Sequence, residues 1–169
     1  GLKISIEAAE AVKLSFGAAL SKDIPAREII DLKKIDPRAH NAVSKKFIAE
    51  IIEMRLVEIM EFINNELKRI NKAGKLPAGV VLVGGGAKLS GIIDLVKQEL
   101  KLPAQIGIPD LSLVDLPNGE LAIKAEDPES ACAVGLLMLA AEKNSIGKSA
   151  SWQGVYNGYF KKWMDYFMP

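Results

Sequence analysis

Glycines 84, 85 and 86 are the residues of this 169-residue chain whose types and spacing most directly suit a ligand. The four residues before them, Val80, Val81, Leu82 and Val83, are all apolar and three are β-branched, which predicts a short strand buried on both faces. After the glycines, Leu89, Ile92, Ile93, Leu95, Val96 and Leu100 recur at helical spacing. A strand, a glycine turn and a helix N-terminus concentrate backbone N–H groups where an anion or the polar rim of a nucleotide can approach. The same arrangement also serves as a tight strand-to-helix turn with no ligand. It is not the dinucleotide fingerprint, because Leu89 stands where a third glycine is needed. Nor does the chain hold a P-loop: Gly147-Lys148-Ser149 has Glu142 at the leading glycine position and follows a helical run.

Other chemistry-bearing residues are sparse. Glu10 and Lys13 sit three apart on a predicted helix, so they share a face, and by themselves they make an ordinary surface ion pair. His40 is the sole histidine and reads as a solvated turn residue, which argues against a metal cluster or a His-dependent triad. The single cysteine, Cys132, excludes an internal disulfide framework, fits a reducing compartment and reads as a small buried hydrophobe. Lys plus Arg number 22 against 21 Asp plus Glu, so overall charge does not point to nucleic acid.

The elements that must position these residues follow from periodicity and caps. Ser5 is a predicted N-cap for a helix from Ile6 to Phe16 that Gly17 stops. Alternation over Glu28 to Leu32 predicts a strand within Ile24 to Ile35, and a long amphipathic helix is expected from about Ala42 to Asn71. Pro103 and Pro109 bracket a short strand over Ala104 to Ile108. Asp127-Pro128-Glu129-Ser130 is a helix start, with proline at the first helical position and acids in the first turn. The run that it opens, Ala131 to Ala141, is apolar nearly all round and is expected to lie buried against the sheet. Ala131, Ala133 and Gly135 should permit close packing there.

That run is too short to span a bilayer and no secretory signal opens the chain, so it reads as soluble or membrane-peripheral. The chain starts almost directly on a helix, as if a preceding part were missing. Residues 144 to 151 are polar and read as a short linker. Seven of the ten aromatics fall between Trp152 and Phe167. Val155, Tyr156, Tyr159, Phe160, Trp163, Met164 and Phe167 form one helical stripe, with Lys161 and Lys162 opposite. This composition favours an amphipathic helix lying in a bilayer interface, against the alternative of packing on the core or on another subunit.

Taken together, the motifs resemble the actin/Hsp70 ATPase superfamily. They are Glu10-x-x-Lys13-x-x-x-Gly17, the strand into Gly84-Gly85-Gly86, and Asp127-Pro128-Glu129-Ser130-Ala131 opening an alanine-rich helix with Gly135. Within it, Ile51-Ile52-Glu53-Met54-Arg55, Leu76-Pro77-Ala78-Gly79-Val80-Val81-Leu82, Ile106-Gly107-Ile108-Pro109 and Ala133-Val134-Gly135-Leu136-Leu137 are most similar to the bacterial FtsA family. The resemblance implies an α/β fold, the second half of an actin-like, ribonuclease H-like ATPase. An upper subdomain (2B) would occupy residues 1–75 and a lower one (2A) residues 76–143, with a linker and amphipathic membrane-targeting helix at 144–169. It also implies a cell-division adaptor that binds ATP with magnesium, polymerises, and tethers FtsZ filaments to the cytoplasmic face of the inner membrane at the division site.

By the same resemblance, Glu10, Lys13, Gly17, Gly84, Gly85, Gly86, Lys88 and Glu129 would bind the nucleotide. Arg38, Lys45 and Lys46, near Phe47, form either a cationic dock for the acidic FtsZ C-terminal tail or a solvated helix start. Arg55 matches a position of self-interaction. Trp152, Tyr156, Tyr159, Phe160, Lys161, Lys162, Trp163 and Phe167 would meet an anionic membrane. No catalytic or metal-ligating residue is expected here. The superfamily's phosphate loops and water-orienting residues have no counterpart in this chain, so it is not expected to hydrolyse ATP alone. Its sheet should keep an unpaired edge, and the linker is shorter than the family's pattern suggests. Alternatives within the superfamily are a chaperone-like ATPase and a pilus-assembly scaffold.

Overall fold

The structure, a computed structural model, describes residues 2–37, 39, 42–111 and 125–145. Arg38, His40 and the aromatic segment from Trp152 to Phe167, with its lysines, lie outside the described residues, as does the predicted linker beyond Ser145.

Helix α1 (Ile6–Phe16) starts as its sequence dictates: the Ser5 hydroxyl accepts a hydrogen bond from the Ala8 N–H at 3.2 Å. Its stop has a different cause from the one expected. Gly17 has an ordinary φ of −68° and gives its N–H to the Lys13 carbonyl at 2.8 Å. Glycine is needed there for space, because a Cβ would lie 2.3 Å from the Lys13 carbonyl oxygen, 3.1 Å from Ile52 and 3.2 Å from Leu89.

The predicted strand within Ile24 to Ile35 shortens to β1 (Ile29–Asp31), and Asp31 turns the chain into a single 3-10 turn by accepting from the Lys33 N–H at 3.1 Å. Its antiparallel partner is β2 (Ala42–Ser44), with Ile30 opposite Val43. Those three residues were expected to be helical. Ladder pairing takes them instead, and Ser44 caps α2 (Lys45–Arg69) by accepting from the Phe47 N–H at 3.1 Å.

Helix α2 is the spine of the molecule. Its N-terminal half sends Ile48 into a cluster with Val12, Ile30, Leu32 and Ala39. Further along, Met60 joins a second cluster with Ala19, Leu20, Ile92, Leu95, Val96, Leu100 and Leu102. This second cluster lies under a β-α-β unit: β3 (Val80–Leu82), α3 (Ile92–Leu100) and β4 (Ala104–Ile106), the strands parallel with Val81 opposite Gln105. Gly79, at φ +76°, enters β3 so close to Pro103 that a Cβ would lie 2.2 Å from the Pro103 carbonyl oxygen. The Val80 N–H donates to that same carbonyl at 2.8 Å.

Three burial expectations are corrected. β3 is covered on one face only: Val80 and Leu82 pack on the second cluster, whereas Val81 is 53% and Val83 49% exposed. Side chains alternate across a strand, and the sheet among the described residues has two strands. Helix α4 (Ala131–Ser145) is not buried against that sheet; Val134 is covered, but Leu136, Leu137 and Leu139 are more than half exposed. Cys132 is exposed rather than buried, and a Cβ on Gly135 would meet nothing within 4 Å, so among the described residues Gly135 is not used for close packing. An apolar run gives its length and helicity, but what covers it is decided elsewhere in the chain.

Candidate functional site

β3 runs into Gly84, whose φ of +87° with ψ 174° is a conformation essentially reserved for glycine. Gly85 to Lys88 then make a single 3-10 turn, and Gly91, at φ +78°, caps α3. The glycines therefore do not lead directly into the helix, as their spacing suggested. Of the three, Gly84 alone uses a positive φ. A Cβ added to Gly84 or Gly86 would meet nothing within 4 Å, so the backbone of the turn is open to an approaching group.

The turn is fastened to the start of α4. The Gly84 N–H donates to the Pro128 carbonyl at 2.7 Å. The Lys88 ammonium lies 2.8 Å from Asp127 Oδ2 and 3.2 Å from Glu129 Oε1. Asp127 also receives the Glu129 N–H at 3.1 Å on its other oxygen, the N-cap bond that its sequence context predicts. Glu129 stands beside the turn: a Cβ on Gly85 would sit 3.5 Å from its Oε1. The structure thus brings Gly84, Gly85, Gly86, Lys88 and Glu129 together and adds Asp127. The sequence shows Asp127 as a helix start and a member of the family motif but not as a partner of Lys88, since an ion pair across 39 residues leaves no local signal.

The charges of this cluster shift one another. The hydrogen bond to Asp127, then that to Glu129, holds the Lys88 ammonium above the ordinary lysine range. The Lys88 hydrogen bond, then the Glu129 N–H, holds the Asp127 carboxyl below the ordinary carboxylate range. A lowered carboxyl pKa contributes stability above its unfolded value, lost as pH falls through the folded one. A raised lysine pKa contributes below its unfolded value and loses that contribution as pH rises through the folded one. Urea titrations of the parent and Asp127→Asn should therefore differ most between about pH 4 and pH 10, and converge outside that window. A difference constant across pH would show that the ion pair contributes nothing.

Glu10 and Lys13 pair with each other at 2.7 Å, both about half exposed. They line an open cavity of about 420 Å³ together with Leu2, Ile4, Ile48, Ile51 and others, and the glycine turn does not line it. The link between α1 and the turn is made lower down. A Cβ on Gly17 would lie 3.2 Å from Leu89, Ala18 bridges to Ser90, and the Ala19 N–H donates to the Ser90 carbonyl at 2.8 Å. At 1.5 Å per residue, Lys13 and Glu10 stand about 6 and 10 Å up the helix from Gly17.

The cations at the start of α2 separate in role. Lys45 is held by Glu28, through an ion pair at 3.0 Å and a backbone bond at 2.8 Å. Lys46 is half-buried beside Phe47, which is exposed. Arg55 pairs with Glu58 on the same helix, on a face that also exposes Met54 and Phe62. Among the described residues, no helix is long and apolar enough to cross a membrane.

Comparison with known proteins places these features in context. The family model for "Cell division protein FtsA" matches residues 1–135. A Cell division protein FtsA of Pseudomonas aeruginosa is 31% identical over 153 residues, 90% of this chain and 35% of that protein. One from Borreliella burgdorferi is 31% identical over 147 residues, 86% of this chain and 34% of that protein. The protein of the same name from Escherichia coli K12 is 27% identical over 148 residues, 83% and 34% respectively. The chain spans about a third of the length of these relatives.

Proposed function

The chain belongs to the FtsA family of cell division proteins, and from that membership we propose that it works in cell division as part of an actin-like, ATP-binding adaptor that tethers FtsZ filaments to the membrane. The observation that carries the nucleotide part is the open glycine turn at the end of β3, fastened to Asp127–Glu129 and adjoining the foot of α1. Its backbone would take the nucleotide between Gly84–Gly86, Lys88 and Glu129 on one side and Glu10, Lys13 and Gly17 on the other. ATP, with magnesium, would supply the phosphates; the residues here bind and orient. In this layout residues 1–75 form subdomain 2B, residues 76–143 subdomain 2A, and 144–169 the linker and membrane-targeting helix.

The start of α2 is the FtsZ-facing surface in this reading. Lys46 and Phe47 offer a cation beside an exposed ring, suited to the acidic, apolar FtsZ C-terminal tail. Self-association falls to the middle of α2, where Arg55 stands by exposed Met54 and Phe62. The chain then sits at the cytoplasmic face of the membrane, held there by Trp152, Tyr156, Tyr159, Phe160, Lys161, Lys162, Trp163 and Phe167.

The test uses a synthetic FtsZ-tail peptide titrated against the parent, Lys46→Glu and Phe47→Ala. Each substitution should weaken binding by about tenfold, and raising the salt should narrow the gap for Lys46→Glu alone. A peptide that binds all three chains equally would remove α2 from the FtsZ surface.

A further inference from the structure

A glycine turn that is to hold a nucleotide should repel its phosphates as little as possible, yet two carboxylates border this one. Asp127 and Glu129 both lie within 3.2 Å of the Lys88 ammonium. Glu129 also stands beside Gly85, whose added Cβ would be 3.5 Å from the Glu129 carboxylate. Backbone N–H groups favour an anion only if nearby negative charge is offset. Lys88 is the residue placed to offset it, since its ammonium is shared by both acids and leaves the turn from the same 3-10 segment as Gly85 and Gly86.

We propose that Lys88 acts as an electrostatic screen for the glycine turn: by pairing with Asp127 and Glu129, it offsets one of their two negative charges, which would otherwise both repel the phosphates of a nucleotide seated on Gly84–Gly86. Lys88 is thus a positioning and charge-balancing residue, and its partners are acids of the protein rather than the ligand. The screen rests on the nucleotide reading above. Its signature is selective, because charge balance at the turn affects a polyanionic ligand strongly and a neutral nucleoside weakly.

Isothermal titration of ATP and of adenosine into the parent, Lys88→Ala and Lys88→Ala/Asp127→Asn tests it. Asparagine is as good an N-cap as aspartate, so the second substitution removes charge while keeping the 127–130 turn capped. The ratio of ATP affinity to adenosine affinity should fall by about tenfold in Lys88→Ala and recover most of that loss in the double variant. A ratio unchanged in Lys88→Ala overturns the proposal. So does a ratio that falls and does not recover, since Lys88 would then contact phosphate directly. A parent that binds neither ATP nor adenosine defeats the nucleotide reading itself, and the screen with it.

Discussion

Gly79→Ala should lower the stability of the chain by about 2–4 kcal/mol, the sum of left-handed strain and a backbone clash. Gly79 holds φ +76° at the mouth of β3, where a side chain of the L series is strained whatever the space. The space is also missing. A Cβ would press on the Pro103 carbonyl carbon and oxygen at 2.8 and 2.2 Å, and this is the carbonyl that receives the Val80 N–H at the head of the parallel ladder. Relief requires β3 and the segment before β4 to separate, which opens the cluster around Leu95 and Val96.

Gly74→Ala is the internal control. Its φ is +65° but nothing lies within 4 Å of the added Cβ, so strain alone remains, about 1–2 kcal/mol. Urea titration of the two variants and the parent, read as midpoint at constant slope, separates the contributions. Equal losses at both positions would mean that the Pro103 contact gives way without cost.

Phe160→Asp/Trp163→Asp should abolish co-sedimentation with anionic vesicles, and it carries the largest effect expected on partner binding. The two aromatics lie three apart on one predicted helical face, so the double change puts two negative charges where apolar rings would enter the interface. Lys161 and Lys162 beside them are worth about 1 kcal/mol each near an anionic surface and should make binding of the parent stronger at low salt. The vesicle pellet is the readout, at low and physiological salt. A parent that stays in solution would mean that the aromatic stripe packs on protein, and the adaptor reading would lose its membrane arm.

Local chemistry was legible wherever a short stretch of chain decides its own conformation. Ser5 capping α1, Asp127-Pro128 opening α4 and the β-α-β order around the glycine turn are all written in neighbours a few residues apart. The family motifs are equally local, which is why Gly84–Gly86 and Glu129 could be named before their contact was known. Ala42–Ser44 shows the limit: helical spacing extended across them, and only pairing with Ile29–Asp31 assigns them to a strand.

By itself, then, the sequence determined that the helices exist, the Ser5 and Asp127 caps, the glycine turn and the family, because each rests on residues close in the chain. Tertiary structure decided the rest. It joined Lys88 to Asp127 across 39 residues, and it set Gly17 against Ile52 and Leu89, and Gly79 against Pro103. It also left Val81, Cys132 and Leu136 exposed where their apolar surroundings predicted burial. The physical reason is common to all of these. Periodicity reports which face of an element is apolar, whereas burial and charge pairing depend on what the rest of the chain brings against that face.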